Sequence, residues 1–266
     1  MTPLRPLDIL VDKDDVVLDS TVALLNKAND ATVNPCPRKL VDADWDHWTA
    51  GYLQCIAGKQ LKPGVPILGK DGEIYLSKGT EHFMASPEDT QGVNILNLKT
   101  PELLNNIDFI PGAKEAVAAM IQAPSMNPFF VTAVYPPESA ETEKSWKRGL
   151  VQAHFPELSE KLHFDLDKSR YQADVMVDDG VHNHRPFRRV AAEEGRPVLS
   201  LIVNREMSKD EVVHGAVRVD NLAEAAFIAA QVAEQRRRDF EGVKRLPGGN
   251  PDLALKVPQQ ETVHGK

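Results

Sequence analysis

Ile9, Leu10 and Val11 form an unbroken apolar run that passes directly into Asp12-Lys13-Asp14-Asp15. A continuous rather than alternating run is what a parallel strand covered on both faces requires, so this stretch predicts a buried strand ending in carboxylates. The same pattern returns at Pro128-Phe129-Phe130-Val131-Thr132, at Val175-Met176-Val177 ahead of Asp178-Asp179, and at Val198–Val203. Between these runs the apolar period lengthens to that of a helix. Ser20 is placed to cap a helix carrying Val22, Leu24, Leu25 and Ala28, and Pro111-Gly112-Ala113 leads into a helix over Lys114–Ile121. A further helix falls near Thr142–His154, with Trp146, Leu150 and Val151, and a last one runs from Asn221 to about Phe240. Strands separated by helices of this length predict an α/β fold with a doubly wound parallel sheet.

The rhythm breaks from about Val33 to Leu104, where glycines and prolines are frequent and strand no longer alternates with long helix. Residues 33–104 are therefore expected to be a cap module inserted between the core segments 1–32 and 105–245. Inside it, Trp45, Trp48, Tyr52 and Ile56 follow helical spacing from a start near Asp42 or Asp44. Core packing explains such a stripe most simply, and a stripe above a catalytic site also offers rings for stacking. Ile67 to Leu76 reads as a hairpin, with Lys70-Asp71-Gly72 supplying the turn. From Leu246 onward, Pro-Gly-Gly-Asn-Pro and a polar run read as a flexible tail over 246–266.

Composition narrows the partners. The 266 residues, 42% of them hydrophobic, supply a sizeable core. A formal net charge of −8 without a basic stripe argues against binding duplex nucleic acid, but leaves room for a small phosphorylated substrate that needs only a local positive site. Arg236-Arg237-Arg238 suits the negative end of the last helix. Cys36 and Cys55 lack metal-ligand spacing and suit a reducing compartment. No apolar region follows the N-terminus and no run approaches the ~18 residues of a membrane span, so no membrane association is expected and the cytoplasm is the expected location. A homodimer is left open.

Ligands of open α/β sheets sit beyond the carboxyl ends of the strands, which here carry Asp12, Asp14, Thr132, Asp178 and Asp179. Crowded carboxylates cannot all stay ionised unless a cation compensates them. Oxygen ligands without a His or Cys pattern point to Mg²⁺, which also favours substrate phosphate. One aspartate can attack phosphorus while a second moves the proton.

These residues resemble the four motifs of the haloacid dehalogenase (HAD) superfamily of phosphohydrolases. They are the apolar strand with Asp12-Lys13-Asp14-Asp15-Val16-Val17, the strand ending at Thr132, and Asp167-Lys168 ahead of Asp178-Asp179. Within the superfamily the chain is most similar to the 5′(3′)-deoxyribonucleotidases, through Phe109–Val117, Lys144 with Trp146, and Ala173-Asp174 before Asp178. The resemblance implies a Mg²⁺-dependent phosphatase acting on a (deoxy)nucleoside monophosphate. It makes Asp12 the nucleophile and Asp14 the general acid/base. It assigns Asp12, the backbone carbonyl of Asp14 and Asp179, supported by Asp178, to the metal. Thr132, Lys168 and Lys144 would bind the phosphoryl group, with Trp45 and Trp48 toward the substrate. The chain departs from the pattern at Lys13, expected in solvent or near the phosphate; at Asp15, an added negative charge; and at Ala133, where the nucleotidases carry Ser. His182 and His184 are expected at the surface, with contact to substrate or metal as the other reading. The alternatives are a phosphatase for another small ester, such as a sugar phosphate, and a HAD-like binding protein with impaired catalysis.

Overall fold

A computed structural model describes residues 4–28, 101–134, 140–205 and 212–245, together with four short strand segments between 62 and 84. Strand β1 (Leu7–Val11) lies at the centre of a six-stranded sheet. The chain order places β6 (Met126–Thr132) and β7 (Leu162–Phe164) on one side of it. On the other side lie β8 (Val175–Asp178), β9 (Leu199–Val203) and β10 (Val217–Val219). Every pairing in the sheet is parallel. The chain winds outward from β1 through β6 to β7, then returns to β8 beside β1 and winds the other way. That reversal opens a crevice between β1 and β8 at their carboxyl ends, and Asp12 and Asp178 sit at its two lips.

The expected helices are present. They are α1 (Ser20–Ala28), α3 (Ala113–Gln122), α4 (Ala140–His154) and α6 (Leu222–Arg245), with a short α2 (Pro101–Asn105) before α3. Alternate residues of the strands face two apolar layers. Ile9, Val11, Phe130, Val175, Val177 and Leu201 pack with Ala116, Val117 and Met120 of α3 and Ala225 and Ala229 of α6. On the opposite face Leu10, Val131, Ala173 and Met176 pack with Phe187. Helix α6 continues past Phe240 because Glu234, Arg237, Arg238 and Glu241 form exposed pairs three and four residues apart.

Among the elements not foreseen are β7, β10 and a helix after β8. Strands β7 and β10 are each three residues long with a polar centre, His163 and Arg218, so neither offers an apolar run. Helix α5 (Val181–Glu193) carries Pro186 inside it and is polar overall. Its buried Val181, His184, Phe187 and Ala191 seat it on the sheet despite the missing amide donor.

The hairpin is present as β3 (Ile67–Leu68) paired antiparallel with β4 (Ile74–Tyr75), and β2 (Lys62–Pro63) pairs likewise with β5 (Phe83–Met84). The stripe of Trp45, Trp48 and Tyr52, both cysteines, and residues 246–266 lie outside the described residues. Among the described residues no helix is long and apolar enough to cross a membrane.

Phe187 is fully buried and is the largest apolar anchor of α5, the helix that follows directly from Asp179 and Gly180. Phe187→Ala is expected to cost about 3–5 kcal/mol, read as a lowered urea midpoint at unchanged slope.

Candidate active site

Immediately after β1 the chain makes one tight helical turn, in which the amides of Val17 and Leu18 both donate to the Lys13 carbonyl. The turn aims consecutive side chains in different directions. Asp12 stays over the β1/β8 crevice: its Oδ1 accepts from the Lys13 amide at 2.8 Å, and its Oδ2 lies 2.9 Å from Lys168 Nζ. Lys168 begins a short 3-10 helix capped by Asp167, which turns its side chain inward. There it bridges Asp12 to Asp178, whose Oδ2 is 2.5 Å away.

Asp178 is saturated with donors. Besides Lys168 it accepts from the Gly180 amide at 2.7 Å and from Asn183 Nδ2. Burial opposes its ionisation, but Lys168 and the other donors prevail and hold the carboxyl below the usual carboxylate range. Asp179, also buried, has no such support: no hydrogen bond or ion pair from the described residues holds its carboxylate. Burial, reinforced by Asp15, Asp178 and Asp12, pushes it well above the usual range. Asp12 is likewise raised to about 7, chiefly by burial and against the pull of Lys168.

Asp14 points the other way. Its Oδ2 accepts from Lys147 Nζ at 2.6 Å and faces the Thr132 hydroxyl at 3.3 Å; Oδ1 accepts from Ser20 Oγ at 3.2 Å. Lys147, fully buried on α4, also donates to Thr132 Oγ1 and the Ala133 carbonyl and pairs with buried Glu143 one turn earlier, at 3.0 Å. Burial works against the Lys147 charge, yet Asp14 and Glu143 outweigh it and raise its affinity for the proton. Thr132 thus stands at the site as expected, through its contacts with Asp14 and Lys147. Lys144 is not brought there: its Nζ pairs with exposed Glu141 at 2.8 Å. Sequence reading missed Lys147 because two lysines lie within one turn and only helical phase separates them. Asn183 was missed because α5 was.

The geometry accounts for Lys13, Asp15 and His184. Lys13 does not reach solvent. It is fully buried with Nζ 4.5 Å from the centre of the Trp146 ring, and no hydrogen-bond partner among the described residues. Burial, the largest influence, lowers its pKa to about 7. Asp15 adopts the left-handed backbone, φ 57°, a conformation that aspartate tolerates better than most residues. From there its carboxylate receives the Thr21 amide at 2.7 Å and the Thr21 hydroxyl at 2.5 Å, capping the start of α1 in place of the expected Ser20. Arg205, from the end of β9, ties Asp15 Oδ1 at 3.2 Å to Asp19 Oδ1 at 3.0 Å. Burial nevertheless raises Asp15 to about 6. His184 is a packing residue rather than a surface or substrate group: it is fully buried, with Nδ1 2.6 Å from Ser200 Oγ and Nε2 3.0 Å from the Asp178 carbonyl. His182 is exposed.

The donor set fits a hard divalent cation. One oxygen each of Asp12, Asp178 and Asp179 lies within 4.8 Å of the others, and all three residues are buried. Among the described residues, Asp12, Asp14, Asp15, Asp19, Asp178, Asp179 and Glu143 face Lys13, Lys147, Lys168 and Arg205, which leaves three negative charges uncompensated when all are ionised. Asp179 is the carboxylate of this set that receives no hydrogen bond or ion pair from the described residues, and a bound cation would favour its ionised form. The Asp14 carboxylate is engaged elsewhere, so any share it has in the cation falls to its backbone carbonyl.

No protein-family model matches the chain. No curated protein matches it either. Solved structures do. A conserved haloacid dehalogenase-like protein of unknown function from Agrobacterium tumefaciens is 12% identical, with 86% of this chain and 99% of that one covered at a TM-score of 0.51. A Bacillus subtilis protein, the HAD-hydrolase YfnB, solved bound to magnesium, is 14% identical, with 85% and 99% covered at a TM-score of 0.50. The fold is therefore HAD-like, and the likeness carries nothing on the nucleotidase resemblance.

The raised carboxyls make metal-free stability depend on pH. Asp12 moves from 3.8 to about 7, so its contribution is full below the unfolded value and is lost as pH rises through about 7. Asp12→Asn, which mimics the protonated form, is expected to melt above the wild type without metal by a gap that widens from pH 5 to pH 8, where it reaches roughly 2–6 °C. Saturating Mg²⁺ should raise the wild-type melting temperature at pH 8 and leave the variant nearly unmoved. Differential scanning calorimetry reads both.

Proposed function

We propose that this protein is a Mg²⁺-dependent phosphatase that hydrolyses a phosphate monoester through an aspartyl-phosphate. One observation carries the reading. At the reversal point of the sheet, Asp12 stands between buried Lys168 and the acidic pair Asp178 and Asp179, while Asp14, two residues on, is turned to a separate set of donors.

In this reading an Asp12 carboxylate oxygen attacks phosphorus and the bond to the ester oxygen breaks. Asp14 gives its proton to that leaving oxygen. In the second half Asp14 takes a proton from water as the water attacks phosphorus, which releases inorganic phosphate and restores Asp12. Lys168 offsets charge on the phosphoryl oxygens, and Thr132 orients both Asp14 and the substrate. Asp12, Asp179 and Asp178, with the Asp14 carbonyl, would hold Mg²⁺, whose contribution when bound is to neutralise phosphoryl charge.

The substrate we propose is a (deoxy)nucleoside monophosphate. Its support is the local match of Phe109–Val117 and of Lys168 and Asp178 to the nucleotidase pattern, together with the Trp45 and Trp48 stripe in the inserted segment. Purified protein should release phosphate from nucleoside monophosphates with Mg²⁺ and lose that activity with EDTA. Asp12→Asn should fall by at least about 10⁴-fold; substantial residual turnover would sink the mechanism. A panel in which sugar phosphates are cleaved far faster than nucleotides would replace the substrate and leave the mechanism standing. If the tryptophans stack a base, alanine at Trp45 or Trp48 should raise KM for nucleotides and leave KM for p-nitrophenyl phosphate unchanged.

A further inference from the structure

The charged residues nearest Asp14 form an arrangement that phosphate binding alone does not call for. Lys147 is fully buried and reaches Asp14 Oδ2 at 2.6 Å. Its three remaining contacts are Glu143 Oε1 at 3.0 Å, Thr132 Oγ1 at 2.8 Å and the Ala133 carbonyl at 2.6 Å. An ammonium has three protons to donate, so these four acceptors already over-fill it. Glu143 and Lys147 are one turn apart on α4 and both buried, so the helix fixes their spacing and Lys147 has little freedom to swing toward a substrate. This lysine is built to hold a carboxylate still.

We infer that Lys147 is a positioning residue for leaving-group protonation, holding the Asp14 carboxyl by Oδ2 in the orientation from which it serves the leaving oxygen. The inference rests on the phosphatase reading above. The Lys147 ammonium at 2.6 Å and the Thr132 hydroxyl at 3.3 Å both engage Oδ2, and the Ser20 hydroxyl donates to Oδ1 at 3.2 Å, so the carboxyl plane is set by donors from α4, β6 and the start of α1. The division parallels that at Asp12 without sharing a lysine: Lys168 serves the nucleophile, Lys147 the acid. In the first half-reaction the Asp14 proton passes to the ester oxygen as its bond to phosphorus breaks; in the second, Asp14 receives the proton of the attacking water.

Leaving-group dependence tests this. An alkoxide needs a proton to depart, and p-nitrophenolate does not. Lys147→Met is expected to lower kcat/KM for an alkyl phosphate by about 10²–10³-fold and for p-nitrophenyl phosphate by about tenfold. The alkyl ester should show the loss in kcat rather than KM. Because Lys147→Met strands Glu143, the double variant Lys147→Met with Glu143→Gln is made alongside it, and both are checked by thermal melting. The same selective loss should appear in whichever variant folds, and Asp14→Asn should reproduce it, with no further loss on combination with Lys147→Met. Equal losses on the two esters, or an effect confined to KM, would overturn the role of Lys147 and leave the phosphatase reading intact. A wild-type protein that cleaves neither ester would overturn both.

Discussion

Burying several carboxylates together is costly, and the core around the β1/β8 crevice is arranged around meeting that cost. Lys168 joins Asp12 and Asp178 across the crevice, and Lys147 joins Asp14 to α4. Arg205 joins Asp15 and Asp19 to the end of β9. Each cation comes from a different element, so the charges at one point of the sheet fasten the segments after β7, β6 and β9 to the segment after β1. The apolar layers bring these elements together, and the ion pairs set how their ends are oriented. Asp179 lacks such a cation among the described residues, and with Asp12 and Asp178 it forms the acidic cluster at the crevice.

Much of this was legible in the chain. A strand buried on both faces cannot alternate, so Ile9-Leu10-Val11 and Val175-Met176-Val177 announced the parallel sheet. Aspartates directly after such runs must fall at one sheet edge, which is how Asp12, Asp178 and Asp179 could be grouped. Residues whose placement depends on rotation about a helix axis were harder. Lys144 and Lys147 differ by three positions, and only the packing of α4 shows which faces inward. Lys13 illustrates the opposite difficulty. Its charge argues for solvent, and its burial becomes intelligible only once the tight turn after Asp12 and the Trp146 ring are both in place.

His184 and Asp15 show polar residues whose roles lie in second-rank contacts. His184 spans Ser200 on β9 and the backbone of Asp178, fixing the carbonyl side of the residue whose carboxylate Lys168 fixes. No pattern in sequence reveals such a residue, because its partners are a hydroxyl and a carbonyl supplied by other elements. Asp15 looked like an electrostatic fault beside an anionic site. In the fold its charge faces the first turn of α1 and the Arg205 guanidinium.

The clamp at Asp15 has a mechanical meaning as well. Helix α1 is the path by which the chain leaves the core toward residues 33–104, and its first turn is fastened to a residue adjacent to Asp14. The turn that carries Asp12, Asp14 and Asp15 is therefore stapled to the start of α1 at Thr21, and neither can shift without breaking those bonds or carrying the other with it; Arg205 ties both to the end of β9.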